Sequence, residues 1–206
     1  MNKEWSELNK TMQAQIKKKD TYKMGIDTLF NLRRQLMQTL VSFKEDLCRE
    51  DFNAIPFINA DGYHSKTIAY SIWHIFRIED IVAHTVITED EQVFFTGNYQ
   101  VRINSPIITT GNELVKQQIA DFSKQLNLEE LYSYIFEVRE STEKILERFS
   151  YDELKWKIPD ERKGYLKSLN VVNCDEKAIW LIDYCGLSTL FQTNFFRLFF
   201  RYCTGV

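Results

Sequence analysis

Only three prolines and seven glycines interrupt this chain of 206 residues. So few breakers exclude an architecture of many short strands joined by tight turns, and they leave room for long helices. Cysteine is scarce as well: Cys48, Cys174, Cys185 and Cys203 stand far apart with no CxxC pair. Neither a disulfide framework nor a thiolate zinc site is implied by that spacing. The opening MNKEWSELNK is polar and charged, so free thiols in a reducing cytoplasm are the expectation. Positive charge is also thin. Beyond Lys17-Lys18-Lys19 no segment could track a phosphate backbone, and the formal charge of the whole is −3, which argues against a nucleic-acid partner.

What the chain does have is apolar and aromatic matter, 44% and 14% of its residues, enough for a full core in one domain. The run from Ala178 to Cys203, AIWLIDYCGLSTLFQTNFFRLFFRYC, is the one stretch that imitates a membrane span. It carries Asp183, Gln192, Asn194, Arg197 and Arg201, and a central charge costs about 2.5 to 3.5 kcal/mol on insertion, so a buried helix without a membrane is expected.

Residues 1–20 read as a polar arm, partly helical around Trp5 to Met12, and residues 21–206 as one helical domain. Asp20 or Thr21 caps a first long helix with its seam at Ile26, Leu29, Leu36, Leu40, Phe43 and Leu47, and Arg33 fills the remaining seam position. A second runs from about Ser65 to Ile87. On the helical wheel Ile68, Ile72, Ile75, Glu79, Val82 and Val86 cluster on its apolar side, which leaves Arg77, Asp80 and His84 as the wet face and a surface network. Thr88 to Gly111 reads as a long crossover connection. Asn112 then caps a shorter helix with Val115, Ile119, Phe122 and Leu126 on one face. The next helix spans about Leu128 to Phe149, with Leu131, Ile135, Val138, Ile145 and Phe149 in register and Thr142 in the open slot. After an irregular stretch, Asp175 caps the last helix. The fold class expected is all-α, an up-and-down four-helix bundle with a long crossover.

Several residues are candidates for chemistry. His74 sits at the boundary of the apolar face, where it could ligate a metal, act as a general acid or base, or be a core imidazole with a satisfied partner. His84 lies about 80° around the helix from it, so the two cannot share one ion. Asp183 and Cys185 point about 160° apart on the last helix and cannot both face one ion either. Glu79 on an apolar face and Arg33 in a seam suggest a buried ion pair; the alternative is that both side chains reach to the rim. Cys185 and Cys203 read as small hydrophobes, and His64 as a solvated loop residue. Phe191, Phe195, Phe196, Phe199 and Phe200 read first as core and dimer surface, then as a ligand pocket.

The stretch Ser71-Ile-Trp-His-Ile-Phe-Arg-Ile-Glu-Asp80 resembles the second-helix signature of the DinB/YfiT-like bundles, the DinB superfamily. Thr109 to Leu126, then Leu128-Glu-Glu-Leu-Tyr132, Val138 to Leu146 and Phe149-Ser-Tyr-Asp-Glu-Leu154 are similar to the middle third of many members from Gram-positive bacteria. The likeness extends over about residues 21–200. It implies a frequently dimeric four-helix bundle. In some members a divalent metal, zinc or nickel, is held by a histidine of the second helix and a pair, about one turn apart, in the last. Such members are thiol transferases or of unknown activity. His74 matches the first ligand, but no histidine comes after His84, and Leu187 and Phe191 stand at the other two positions. With two ligands missing, no cofactor is expected. The resulting expectation is a non-catalytic or ligand-binding homodimeric bundle, cytoplasmic, with a small-molecule ligand. The alternative is a thiol or alkyl group transferase using His74 and atypical ligands.

Overall fold

The computed structural model describes residues 3–59, 65–155, 158–175, 178, 179 and 182. Among these the chain is all-α, with no strand. His64, and the last-helix positions Asp183, Cys185, Leu187, Phe191, Asn194 and Cys203, lie outside the described residues, as does the aromatic series from Phe191 to Phe200.

Residues 3–20 are more structured than a polar arm. Helix α1, Lys3–Ile16, buries Met12 and Ile16 and lays Trp5 and Leu8 on the core. Its stripe at 5, 8, 12 and 16 has helical spacing, but lysine and glutamine between its members hid it. The chain then folds back, and α1 packs along α2, Tyr22–Asp46. Gly25 makes the close approach work: a Cβ there would stand 2.6 Å from Ile16 Cγ1 and 2.8 Å from Ile16 N. Thr21 stands at the N-cap position of α2 but makes no side-chain cap bond; its hydroxyl donates to the Gln15 carbonyl at 2.7 Å and pins the turn instead.

Helix α2 buries Ile26, Leu29, Arg33, Leu36 and Leu40 and then stops, giving way to the single-turn α3, Arg49–Asn53. Helix α4, Ile68–Asp80, is capped by Thr67, whose hydroxyl accepts from Tyr70 N at 3.0 Å. It runs without a break into a π-helical segment, Ile81–Thr88, that ends on Glu89 in the left-handed region. Helix α8, Leu128–Arg148, starts on Asn127 as cap and buries Leu131, Ile135, Val138 and Thr142.

The connection expected between Thr88 and Gly111 contains two short helices, α5 (Val93–Thr96) and α6 (Tyr99–Ile103). Helix α7 is Gln117–Gln125, starting later than an Asn112 cap would have it, because Lys116 at φ 48° and ψ −120° breaks the helical path just before it. Val115 is accordingly exposed. Helix α9, Asp160–Ser168, lies in the stretch expected to be irregular and packs against the π segment. Its Arg162 donates to the Val86 and Ile87 carbonyls, which the end of that segment leaves without helical partners.

Helix α4 is the axis of the arrangement. Helices α3, α5, α7 and α8 all touch it. No described helix is long and apolar enough to cross a membrane.

Candidate functional site

A helix surrounded on every side has no wet face, and the polar residues of α4 must all find partners inside. The expectation for Arg77, Asp80 and His84 is therefore overturned. Arg77 and Asp80 are 0% exposed and His84 is 5% exposed. The supposed connection supplies the cover. Asp80 Oδ1 accepts from Val93 N and its Oδ2 from Phe94 N, both at 2.9 Å, so a carboxylate of α4 holds the first amides of α5. Tyr134 of α8 donates to the same Oδ2 at 2.8 Å. Burial, with the Asp80 carboxylate beside it, holds the Tyr134 phenol well above its ordinary range, so it stays a donor. Arg77 reaches Asp80 Oδ2 at 3.3 Å, the Ile108 carbonyl at 2.9 Å and Gln92 Oε1 at 2.6 Å. Its guanidinium also lies 4.3 Å from the centre of the Phe94 ring. Gln92 passes the network on to Thr85 at 2.7 Å.

Arg33 and Glu79 form the second cluster. Arg33 Nη2 donates to Glu79 Oε1 at 2.8 Å, with both side chains 1% exposed. Arg33 Nε donates to Glu143 Oε1 at 3.1 Å, and Nη2 also meets the Arg139 carbonyl at 3.3 Å. Burial acts to lower the guanidinium pKa, but the Glu79 and Glu143 carboxylates outweigh it and raise it. Three helices, α2, α4 and α8, are joined at this one fork.

His74 forms the third. It is 5% exposed and lies flat on Tyr70, with ring centres 5.5 Å apart and planes 10° apart. Its Nδ1 is 2.8 Å from the Thr110 carbonyl oxygen. A carbonyl can only accept, so Nδ1 carries the proton. Burial depresses the imidazole to about 4, against a partial offset from that Thr110 bond, and the ring is neutral at physiological pH. Tyr70 donates to the neighbouring Gly111 carbonyl at 3.0 Å, and Gly111 sits at φ +78°, the conformation that lets both carbonyls face α4.

His84 borders the Asp80 cluster and has its own hydrogen-bond partners. Its Nδ1 meets Asp90 Oδ1 at 2.6 Å and its Nε2 meets the Ser141 hydroxyl of α8 at 3.0 Å. Asp80 Oδ1 lies 4.0 Å from Nε2. The two histidines thus serve separate clusters, as their angular separation on the helix requires.

Neither a scan of family models nor a search of curated proteins finds a match for this chain.

A three-histidine centre does not fit the residues present. Of the three positions that the DinB/YfiT resemblance implies, only His74 offers a donor atom, since the side chains of Leu187 and Phe191 have no lone pair. Among the described residues no three histidine, cysteine, aspartate or glutamate side chains converge on a point. Cys48 and Cys174 are free and exposed.

Sequence reasoning singled out His74, Arg33 and Glu79 and missed Thr110, Gln92, Asp90, Tyr134, Ser141 and Glu143. One signal was legible. Trp73, Phe76 and Ile78 sit among the polar residues of α4, with Ile81 just beyond it, and a helix apolar all round is a buried one.

Proposed function

We propose that this chain is a DinB/YfiT-like four-helix bundle that dimerises and binds a small ligand between its helices without the metal chemistry of the three-histidine members. The state of His74 carries this reading. A neutral imidazole, stacked on Tyr70 and tied to the Thr110 carbonyl, belongs to the core that holds the 109–111 turn onto α4. The absence of any histidine after His84 supports the same conclusion.

A second reading has one observation in its favour. Donation from Nδ1 to a backbone carbonyl is also how metal-binding histidines fix the tautomer that presents Nε2. A transferase using His74 with atypical ligands would exploit that tautomer.

Elemental analysis of gently purified protein, with zinc, nickel and manganese titrations on wild type and His74→Ala, separates the two. The proposal expects no stoichiometric metal in either protein and a less stable variant. Stoichiometric binding that disappears in His74→Ala would overturn it in favour of the transferase.

A further inference from the structure

Serines inside helices ordinarily turn their hydroxyl back to the carbonyl one turn earlier. Ser71, Ser123 and Ser133 do so, bonding the carbonyls of Thr67, Ile119 and Glu129. Ser141, in the same helix as Ser133, is hydrogen-bonded across the helix interface to His84 instead. The far side of that histidine is held by Asp90. A carboxylate only accepts, so Nδ1 carries a proton; in the neutral ring Nε2 then offers its lone pair to the Ser141 hydroxyl, with Asp80 Oδ1 4.0 Å from that nitrogen. That is the order in which a nucleophile, a base and an orienting carboxylate work together.

The place in the fold fits the chemistry. The Arg77–Asp80 and Arg33–Glu79 clusters are sealed. The His84 cluster reaches the surface: the Asp90 side chain is 56% exposed and Ser141 is half-buried. His84 also lies in the π-helical segment, a geometry frequent at functional sites.

We infer that Ser141 is a reactive hydroxyl activated by His84, with Asp90 as its positioning residue, and that it accepts acyl groups from activated esters. In the forward step Ser141 Oγ bonds to the carbonyl carbon and its proton passes to His84 Nε2. The bond to the leaving alkoxide then breaks, and the alkoxide takes that proton from His84. Water attacks the acyl-serine by the same route, releasing a carboxylic acid and restoring the hydroxyl. The amides around Ser141 are used in the α8 ladder, so the helix offers no oxyanion donors. Each such donor is worth about 10² to 10³ in rate, which confines the site to activated donors and slow turnover.

The test is covalent labelling of the full-length folded protein with an alkyl fluorophosphonate, in which Ser141 Oγ displaces fluoride from phosphorus. Intact mass and then peptide mapping read the adduct. One label per chain is expected at Ser141 and none at Ser133, the internal control on the same helix. In His84→Gln, checked for native far-UV circular dichroism, the labelling rate falls by about a hundredfold, the scale of general-base assistance. Asp90→Asn slows labelling without changing its site. An unlabelled wild type, equal labelling of Ser133, or a His84→Gln rate equal to wild type would each overturn the inference. Because the wild-type pattern is itself decisive, the test stands even where a variant fails to fold.

Discussion

Arg33 Nη2 and Glu79 Oε1 lie 2.8 Å apart at positions 46 residues distant in sequence, and neither side chain reaches solvent. Each is an anomaly on its own helix, and each finds its counter-charge in the other. Breaking a buried pair from one side leaves an uncompensated charge, which costs about 3 to 5 kcal/mol. Glu143 remains beside Arg33, so Glu79→Gln should fall at about 3 kcal/mol, read as a lowered urea midpoint. An unchanged midpoint would mean the pair contributes nothing. The double variant Arg33→Met, Glu79→Leu should recover much of the loss, since well-packed apolar residues often replace buried pairs at little cost.

His74 makes stability depend on pH with a definite sign. Its folded value of about 4 is below the ordinary 6.5, so on acidification the unfolded chain takes up a proton first. Stability from this group is complete above pH 6.5 and is lost as pH falls toward 4. A gap of this size amounts to about 3 kcal/mol. The difference in unfolding free energy between wild type and His74→Gln should shrink by about that order between pH 7.5 and pH 4.5. A difference independent of pH would contradict the burial of a neutral ring.

Asp80 has four donors on two oxygens: two α5 amides, Arg77 and Tyr134. Tyr134→Phe removes one hydrogen bond to a charged group and should cost about 1.5 to 3 kcal/mol. Asp80→Ala removes the acceptor from all four and leaves Arg77 without its carboxylate. That variant should lose more than Tyr134→Phe and expose the 93–103 amides to hydrogen exchange. Equal losses in the two would show that Asp80 is not the centre of the network.

Gly25→Ala sets helix propensity against space. Alanine gains about 1 kcal/mol over glycine within a helix. The new Cβ, however, would meet backbone as well as side chain of Ile16, and overpacking costs about 1 to 3 kcal/mol. The variant should be destabilised and α1 more readily cleaved by protease; a stabilised protein would mean that α1 adjusts freely.

Much of the helical order could be read from the sequence, because α2, α4 and α8 carry regular apolar spacing, which for α4 runs on through the π-helical segment. Arg33 and Glu79 were legible for the same reason, as charges in apolar positions. The environment of Arg77, Asp80 and His84 was not. A wheel compares residues within one helix, whereas the cover over Arg77 and Asp80 comes from Gln92, α5 and Tyr134, and that over His84 from Asp90 and Ser141, whose places depend on how the chain returns. Ser141 was hidden more deeply still: a serine in an amphipathic helix has no signature until its partner across the interface is known.

The π-helical segment Ile81–Thr88 bears on how this chain tolerates changes in length. An i→i+5 ladder accommodates one residue that an i→i+4 ladder would have no room for. A one-residue deletion there that closes the segment into ordinary helix leaves the turns on either side nearly in register and re-aims the residues within the segment itself, His84 among them. Such a deletion takes His84 away from Ser141 and Asp90 while leaving the Arg33–Glu79 fork intact. Fold and serine site are therefore separable by a single codon.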